Sequence, residues 1–172
     1  MDPALAALVA RREIEDVVLR YCRGIDRMDR ELVRSCYHVD ATDSHGSFTG
    51  SVDEFLDWAW KLLARYERTM HFVGNLLVEL AGDAAVAETY GVALHQSADP
   101  RPQLNLVSGF RFVDRFERRD GGPWRIARRV AVTEWSRVDD AAGRWPTPPE
   151  LASGRRDRGD ALYRFLAELA VG

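Results

Sequence analysis

Two long runs rich in β-branched and aromatic residues, Leu104–Arg118 and Trp124–Trp135, flank Asp120-Gly121-Gly122-Pro123, and this arrangement constrains the fold more than any other feature of the chain. Asp and Gly tolerate the backbone conformations that a tight reversal needs, so the two runs predict a long antiparallel hairpin. Upstream, His71–Leu80 and Ala84–His95 flank Ala81-Gly82-Asp83 and predict a second one. Hairpins of this kind are stable only when one face is covered by another layer.

The covering layer is expected from the N-terminal part. From Pro3 to Cys36, apolar residues such as Leu8, Ile14, Val17, Val18, Ile25, Leu32 and Val33 recur at helical spacing, broken by Gly24 and the polar turn Asp26–Asp29. That pattern predicts two helices. Ser51 followed by Glu54 makes a capping box, and Phe55, Leu56, Trp58, Ala59, Leu62 and Leu63 give a third helix an apolar face as far as Tyr66. Between them Tyr37–Gly50, rich in Asp, Ser, Thr and Gly, reads as irregular chain with one short strand. Helices followed by a meander of long strands place the chain in the α+β class. No glycine-rich loop follows a strand, which removes the usual dinucleotide and nucleotide sites.

A length of 172 residues fits one domain, with boundaries at 1–140 and a tail over 141–172. The tail holds Pro146, Pro148 and Pro149, the charged run Gly154–Asp160, and a helical pattern over Ala161–Ala170 that is expected to pack on the domain or on a neighbouring subunit. With 24 basic and 27 acidic side chains, no field of one sign is available to attract a polyanion, so nucleic acid is not an expected partner. No stretch approaches the roughly 20 apolar residues of a bilayer span, and the start of the chain lacks a cleavage-site pattern. Cys22 and Cys36 show neither zinc-ligand nor redox spacing, so free thiols in the cytoplasm and no metal are expected.

Four features carry chemistry: Tyr21 and Asp26, five positions apart near the end of helix one; His71, opening a strand; Arg129, inside the last strand; and Asp43-Ser44-His45-Gly46 in the polar segment. Each has a bland role open to it. Asp26 suits a helix terminus or an ion pair with Arg23 or Arg27, Tyr21 a core aromatic, and His71 a half-buried strand position. Alternation puts Arg125 and Arg129 on one face of the strand and Arg128 on the other, so a solvated face serves for arginine too. As a set they are more informative: a carboxylate orients an imidazole, a phenol donates to a carbonyl oxygen, and a guanidinium stabilises a developing anion. Proton abstraction beside a carbonyl uses those parts.

Tyr21-Cys22-Arg23-Gly24-Ile25-Asp26-Arg27-Met28-Asp29, Asp40-Ala41, His71-Phe72-Val73-Gly74-Asn75 and Phe116-Glu117-Arg118-Arg119-Asp120-Gly121-Gly122-Pro123-Trp124-Arg125-Ile126 resemble the SnoaL-like branch of the nuclear transport factor 2 superfamily. The resemblance covers residues 8–138 and extends to lyases of that family such as scytalone dehydratase, bile-acid 7α-dehydratase and hexachlorocyclohexane dehydrochlorinase. It implies a cone-shaped, curved antiparallel sheet wrapped by N-terminal helices around an apolar pocket. It also implies a cofactor-independent, dehydratase-like lyase acting on a small hydrophobic cyclic or polycyclic carbonyl compound such as a steroid or polyketide. His71 would be the base, Asp26 its partner, Tyr21 the donor to the carbonyl, and Arg129 the anion stabiliser. Asn75, Asp43, His45, Trp58 and Tyr90 are the expected substrate contacts, and His95 stands at an uncertain register. An isomerase or polyketide cyclase using the same pair, and a non-catalytic ligand-binding or assembly subunit, remain open. A homo-oligomer, trimer or dimer, is expected if Phe110, Phe112, Phe116, Trp124 and Ile126 lie on the uncovered face of the sheet.

Overall fold

Asp2 caps the first helix, its carboxylate accepting from the Ala4 N–H at 2.7 Å, and Pro3 occupies the first helical position, where a missing N–H is harmless. The computed structural model describes residues 2–97, 105–139 and 151–169. Helix α1 (Pro3–Arg27) buries Ala10, Ile14, Val17, Val18, Tyr21 and Ile25 and ends at Met28, whose φ of 54° turns the chain out of the helix. Helix α2 (Arg30–Ser35) is capped by the Asp29 side chain. It crosses α1 so closely that a Cβ on Gly24 would stand 2.5 Å from Val33 Cγ2, which restricts that position to glycine.

The remaining elements are β1 (Tyr37–His45), β2 (Phe48–Ser51), α3 (Val52–Leu63), β3 (Tyr66–Ala81), β4 (Ala84–Ser97), β5 (Asn105–Arg118), β6 (Trp124–Asp139) and α4 (Ala161–Leu169). They form one curved, unclosed sheet in the order β2-β1-β6-β5-β4-β3, with α1 packed on β3 and β6 and α3 on β1. Residue Leu104, the expected start of a strand, lies outside the described residues. Gly82, Asp120 and Gly121 adopt positive φ at the hairpin turns.

Three expectations change. Tyr37–Gly50 is mostly strand, and β1 pairs with β6 in parallel, the single parallel pairing in this otherwise antiparallel sheet among the described residues. Its polar composition hid an alternation: Ala41 and Asp43 are buried while Asp40 and Thr42 meet water. Helix three stops at Leu63, and β3 begins at Tyr66, so His71 sits inside its strand rather than opening it.

The third change concerns the faces of the sheet. Phe110, Phe112, Phe116, Trp124 and Ile126 are core, packed under α1 and α3, and do not form an uncovered face. The outer face instead exposes Phe72 (69%), Leu77 (61%), Trp135 (49%) and Tyr90 (44%). Part of the reason is a bulge: β5 steps from Arg115 to Phe116 while β6 steps from Arg128 to Ile126, so Ala127 is an extra residue. The extra residue reverses the alternation. Ile126 and Arg129 both point inward, and Arg125 is separated from Arg129 and exposed on the other face.

The proline-rich connector with Pro146, Pro148 and Pro149 lies outside the described residues, as does Ala170. Gly154–Asp160 returns to the domain, where the Arg156 guanidinium donates to the carbonyls of Leu63 (3.0 Å) and Tyr66 (2.5 Å), and Asp160 stands 3.5 Å from Arg27. Tyr163 of α4 donates to Asp29 at 3.3 Å. No helix among the described residues is long and apolar enough to cross a membrane.

Candidate active site

Four residues along a helix face the same way, so the inward stripe of α1 that carries Tyr21 also carries Ile25, and its last turn swings Asp26 under β3. There the Asp26 carboxylate accepts twice from one residue: from His71 Nδ1 at 2.7 Å and from the His71 backbone N–H at 2.9 Å. The double contact fixes the ring relative to its own main chain. A carboxylate acceptor keeps the hydrogen on Nδ1 and leaves Nε2 with its lone pair uncommitted. The two side chains are 9% and 11% exposed.

The His71 ring opens on a cavity of about 350 Å³ bounded by α1, α3 and the inner face of the sheet, with walls that include Tyr21, Trp58, Phe110, Phe112 and the imidazoles of His45 and His95. A second cavity, of about 460 Å³, lies between the end of the sheet and the returning tail, with Arg68, Arg155 and Arg156 on its walls and His95 on the border of both. We take the first as the site because it joins the free imidazole nitrogen to an apolar, aromatic enclosure.

Of the residues expected from the sequence, Asp26, His71 and Tyr21 come together. Trp58 and His45 line the same cavity, stacked with Phe48 and Phe55 respectively. Asp43 does not reach it; fully buried behind His45, it accepts from the Tyr37 hydroxyl at 2.7 Å, and its other oxygen stands 3.5 Å from His45 Nδ1. Arg129 does not reach it either. It is held by Asp114 through two bonds of 2.7 and 2.6 Å, and its guanidinium carbon lies 4.0 and 3.9 Å from the ring centres of Tyr21 and Phe112. Burial works against its charge, but Asp114 together with the Tyr37 and Tyr21 oxygens outweighs that and holds the guanidinium protonated. Asn75 and Tyr90 are on the outer face, beside Phe72 and Trp135. Three steps of β3 from Val73 to Leu76 oppose two of β4, a bulge that turns Asn75 outward, and Tyr90 falls in the outward phase of β4, where Arg111 covers its ring.

Burial, opposed in part by Arg129, pushes the Tyr21 phenol well above its ordinary pKa, so it remains a hydrogen donor. His95 was not among the expected site residues. Its ring lies 5.9 Å from His71 and 4.9 Å from Tyr66, and burial together with the neighbouring imidazole pulls its pKa from 6.5 to about 4. The small residues Ala85, Ala87, Thr89, Gly91 and Ala93 recur at every second position of β4, and that phase continues to His95. Asp114 was also missed, although a carboxylate in phase with Phe110, Phe112 and Phe116 already calls for a buried cation. Burial pushes the thiols of Cys22 and Cys36 up to about 12 and about 11, so neither is a nucleophile near neutral pH. Among the described residues no three of His, Cys, Asp and Glu gather closely enough to hold a metal ion.

The SnoaL-like domain family matches residues 6–130. A provisionally assigned scytalone dehydratase from Novosphingobium aromaticivorans superposes with a TM-score of 0.68 at 20% identity, over 81% of this chain and 97% of that one. The hexachlorocyclohexane dehydrochlorinase LinA-type3 from Novosphingobium barchaimii superposes with a TM-score of 0.74 at 21% identity, over 85% and 99%. A single-substitution variant of a protein of unknown function from Mycobacterium tuberculosis does so with a TM-score of 0.65 at 24% identity, over 99% and 92%. At these identities the likeness is one of fold. No curated protein sequence matches the chain.

Proposed function

Since the chain belongs to the SnoaL-like family by its match over residues 6–130, we propose that it is a cofactor-independent lyase of the dehydratase kind, acting on a small hydrophobic cyclic or polycyclic carbonyl compound. The observation that carries this reading is the free Nε2 of His71, backed by Asp26, opening on an aromatic cavity of about 350 Å³. His71 Nε2 takes a proton from the carbon beside the carbonyl, and the Asp26 carboxylate stays hydrogen-bonded to the ring as it becomes charged. The Tyr21 phenol supplies a hydrogen bond to the carbonyl oxygen, where the enolate charge gathers. Departure of a group from the next carbon then forms the conjugated double bond. Arg129, one layer behind, acts through Tyr21 by holding its ring in place. The aromatic walls favour a steroid- or polyketide-like ring system as substrate, and an isomerase or cyclase would share the same enolate step.

A second copy of the chain is the proposed cover for the outer face, because Phe72, Tyr90 and Trp135 stand side by side there and are 69%, 44% and 49% exposed. The cytoplasm suits the two free, buried cysteines. The test of the activity is formation of an absorbing enone from cyclic β-hydroxy ketones, with exchange of the hydrogen beside the carbonyl for solvent deuterium in the recovered substrate. Replacement of His71 by Ala is expected to cost about 10²–10⁴-fold in kcat while the thermal transition stays in place. Tight binding of such compounds with no exchange and no elimination by the native protein would replace this reading with that of a ligand-binding subunit.

A further inference from the structure

A second imidazole with a carboxylate behind it, His45 with Asp43, lines the same cavity from β1, which lies toward the other edge of the sheet from β3. The Asp43 side chain has no solvent exposure; one of its oxygens accepts from the Tyr37 hydroxyl at 2.7 Å, and the other has no hydrogen-bond partner among the described residues. His45 Nδ1 is also buried and without a hydrogen-bond partner among the described residues, and it lies 3.5 Å from that orphan oxygen. A buried polar atom left alone costs on the order of 1–3 kcal/mol, so two such atoms facing one another are best explained by a proton on His45 Nδ1 directed at Asp43. The ring is then held edge-on by the carboxylate and face-on by Phe55, 5.3 Å away. Its Nε2 lies on the side of the ring away from Asp43; the residue lines the cavity, and 29% of its side chain is exposed.

Elimination of water needs two proton movements, one from carbon and one to the departing oxygen. Of two other cavity groups, burial makes the Tyr21 phenol a weaker acid than usual, and burial together with its neighbour His71 keeps His95 neutral. Neither is suited to deliver a proton to hydroxide as it leaves.

We propose that His45, oriented by Asp43 and Tyr37, is the proton donor to the leaving oxygen, which makes the cavity a two-imidazole site for substrates with a hydroxyl β to the carbonyl. This rests on the lyase reading above and deepens it. The C–H bond breaks and its proton goes to His71 Nε2, and the freed pair forms the C=C bond. The C–O bond breaks, and the oxygen takes the Nε2 proton of a His45 imidazolium, whose other proton on Nδ1 stays directed at Asp43, and leaves as water. Exchange with solvent then removes the proton from His71 and returns one to His45.

A donor to oxygen is needed when hydroxide leaves and is not needed when chloride leaves, and this separates a chemical role for His45 from a packing one. β-Hydroxyindanone and β-chloroindanone are the probes, assayed with the native protein, His45→Gln, Asp43→Asn and His71→Ala, each checked for a native thermal transition. His45→Gln is expected to lose about 10²–10⁴-fold in kcat on the hydroxy compound and less than about tenfold on the chloro compound. Asp43→Asn should show the same selectivity in weaker form, and His71→Ala should lose both. If His45→Gln loses the two substrates equally, or loses neither, while the native protein turns over both, the assignment of His45 is overturned and the lyase reading stands. If the native protein turns over neither probe nor any other cyclic β-hydroxy ketone, the lyase reading falls and the assignment falls with it.

Discussion

Asp26–His71 and Asp114–Arg129 are both short carboxylate–nitrogen contacts between inward-facing side chains, yet one is built as a working part and the other as a fastening. Asp114 and Arg129 have no exposure at all, and the guanidinium is wedged between Tyr21 and Phe112. It thereby ties helix α1 to strands β5 and β6. His71 and Asp26 keep about a tenth of their surface open, and among the described residues none occupies the second ring nitrogen. Residue type does not separate the two pairs; what separates them is whether an uncommitted atom faces space that a second molecule can enter.

The contrast breaks most sharply at the sealed pair. Replacing Asp114 by Ala strands a guanidinium in the core and is expected to cost about 3–5 kcal/mol, read as the shift in urea midpoint at constant slope. The double variant Asp114→Leu with Arg129→Met should recover much of that loss, since it removes both charges and keeps apolar volume. A double variant less stable than Asp114→Ala would mean that the pair stabilises the fold in its own right.

At the open pair the effect should appear in rate rather than stability. Asn at position 26 still reaches His71, but its amide can present N–H to Nδ1 and so place the ring hydrogen on Nε2, where a base needs a lone pair. A loss of about 10–100-fold in kcat, with little change in KM or in the urea midpoint, is expected from losing the partner that sets the tautomer. An unchanged rate would leave Asp26 a mere anchor for the end of α1.

The smallest effect is at the border of the cavity, where His95 is held neutral with a pKa of about 4 against an ordinary 6.5. Its folded-state pKa is depressed, so the unfolded chain takes up a proton below 6.5 that the folded chain refuses, and stability falls as the pH drops from 6.5 toward 4. His95→Gln removes that contribution. Thermal transitions recorded between pH 7 and 5 should decline less steeply for the variant than for the native protein; parallel curves would show that His95 takes up its proton in the folded state.

Much of this was legible beforehand because it depends on local period. Ser51 and Glu54 form the capping box that their spacing predicts, and Ala81-Gly82-Asp83 and Asp120-Gly121-Gly122-Pro123 close the hairpins. Asp26 and His71 were singled out from a motif, 45 positions apart, and the contact between them is tertiary. What misled was phase. A bulge at Ala127 separated Arg125 from Arg129, a bulge after Val73 put Asn75 outside, and Tyr90 took the outward side of β4. Alternation carries no marker for an inserted residue, because the insertion is stabilised by curvature of the whole sheet.

By itself, then, the sequence determined the class, the order of the elements and the types of group available for chemistry, since helical and strand periods, caps and turns act over a few residues. The tertiary structure decided which of those groups share a cavity, because that follows from the register of strands far apart in the chain. It placed Arg129 behind Tyr21 rather than beside a substrate, and it brought His45 and His95 to the same enclosure as His71.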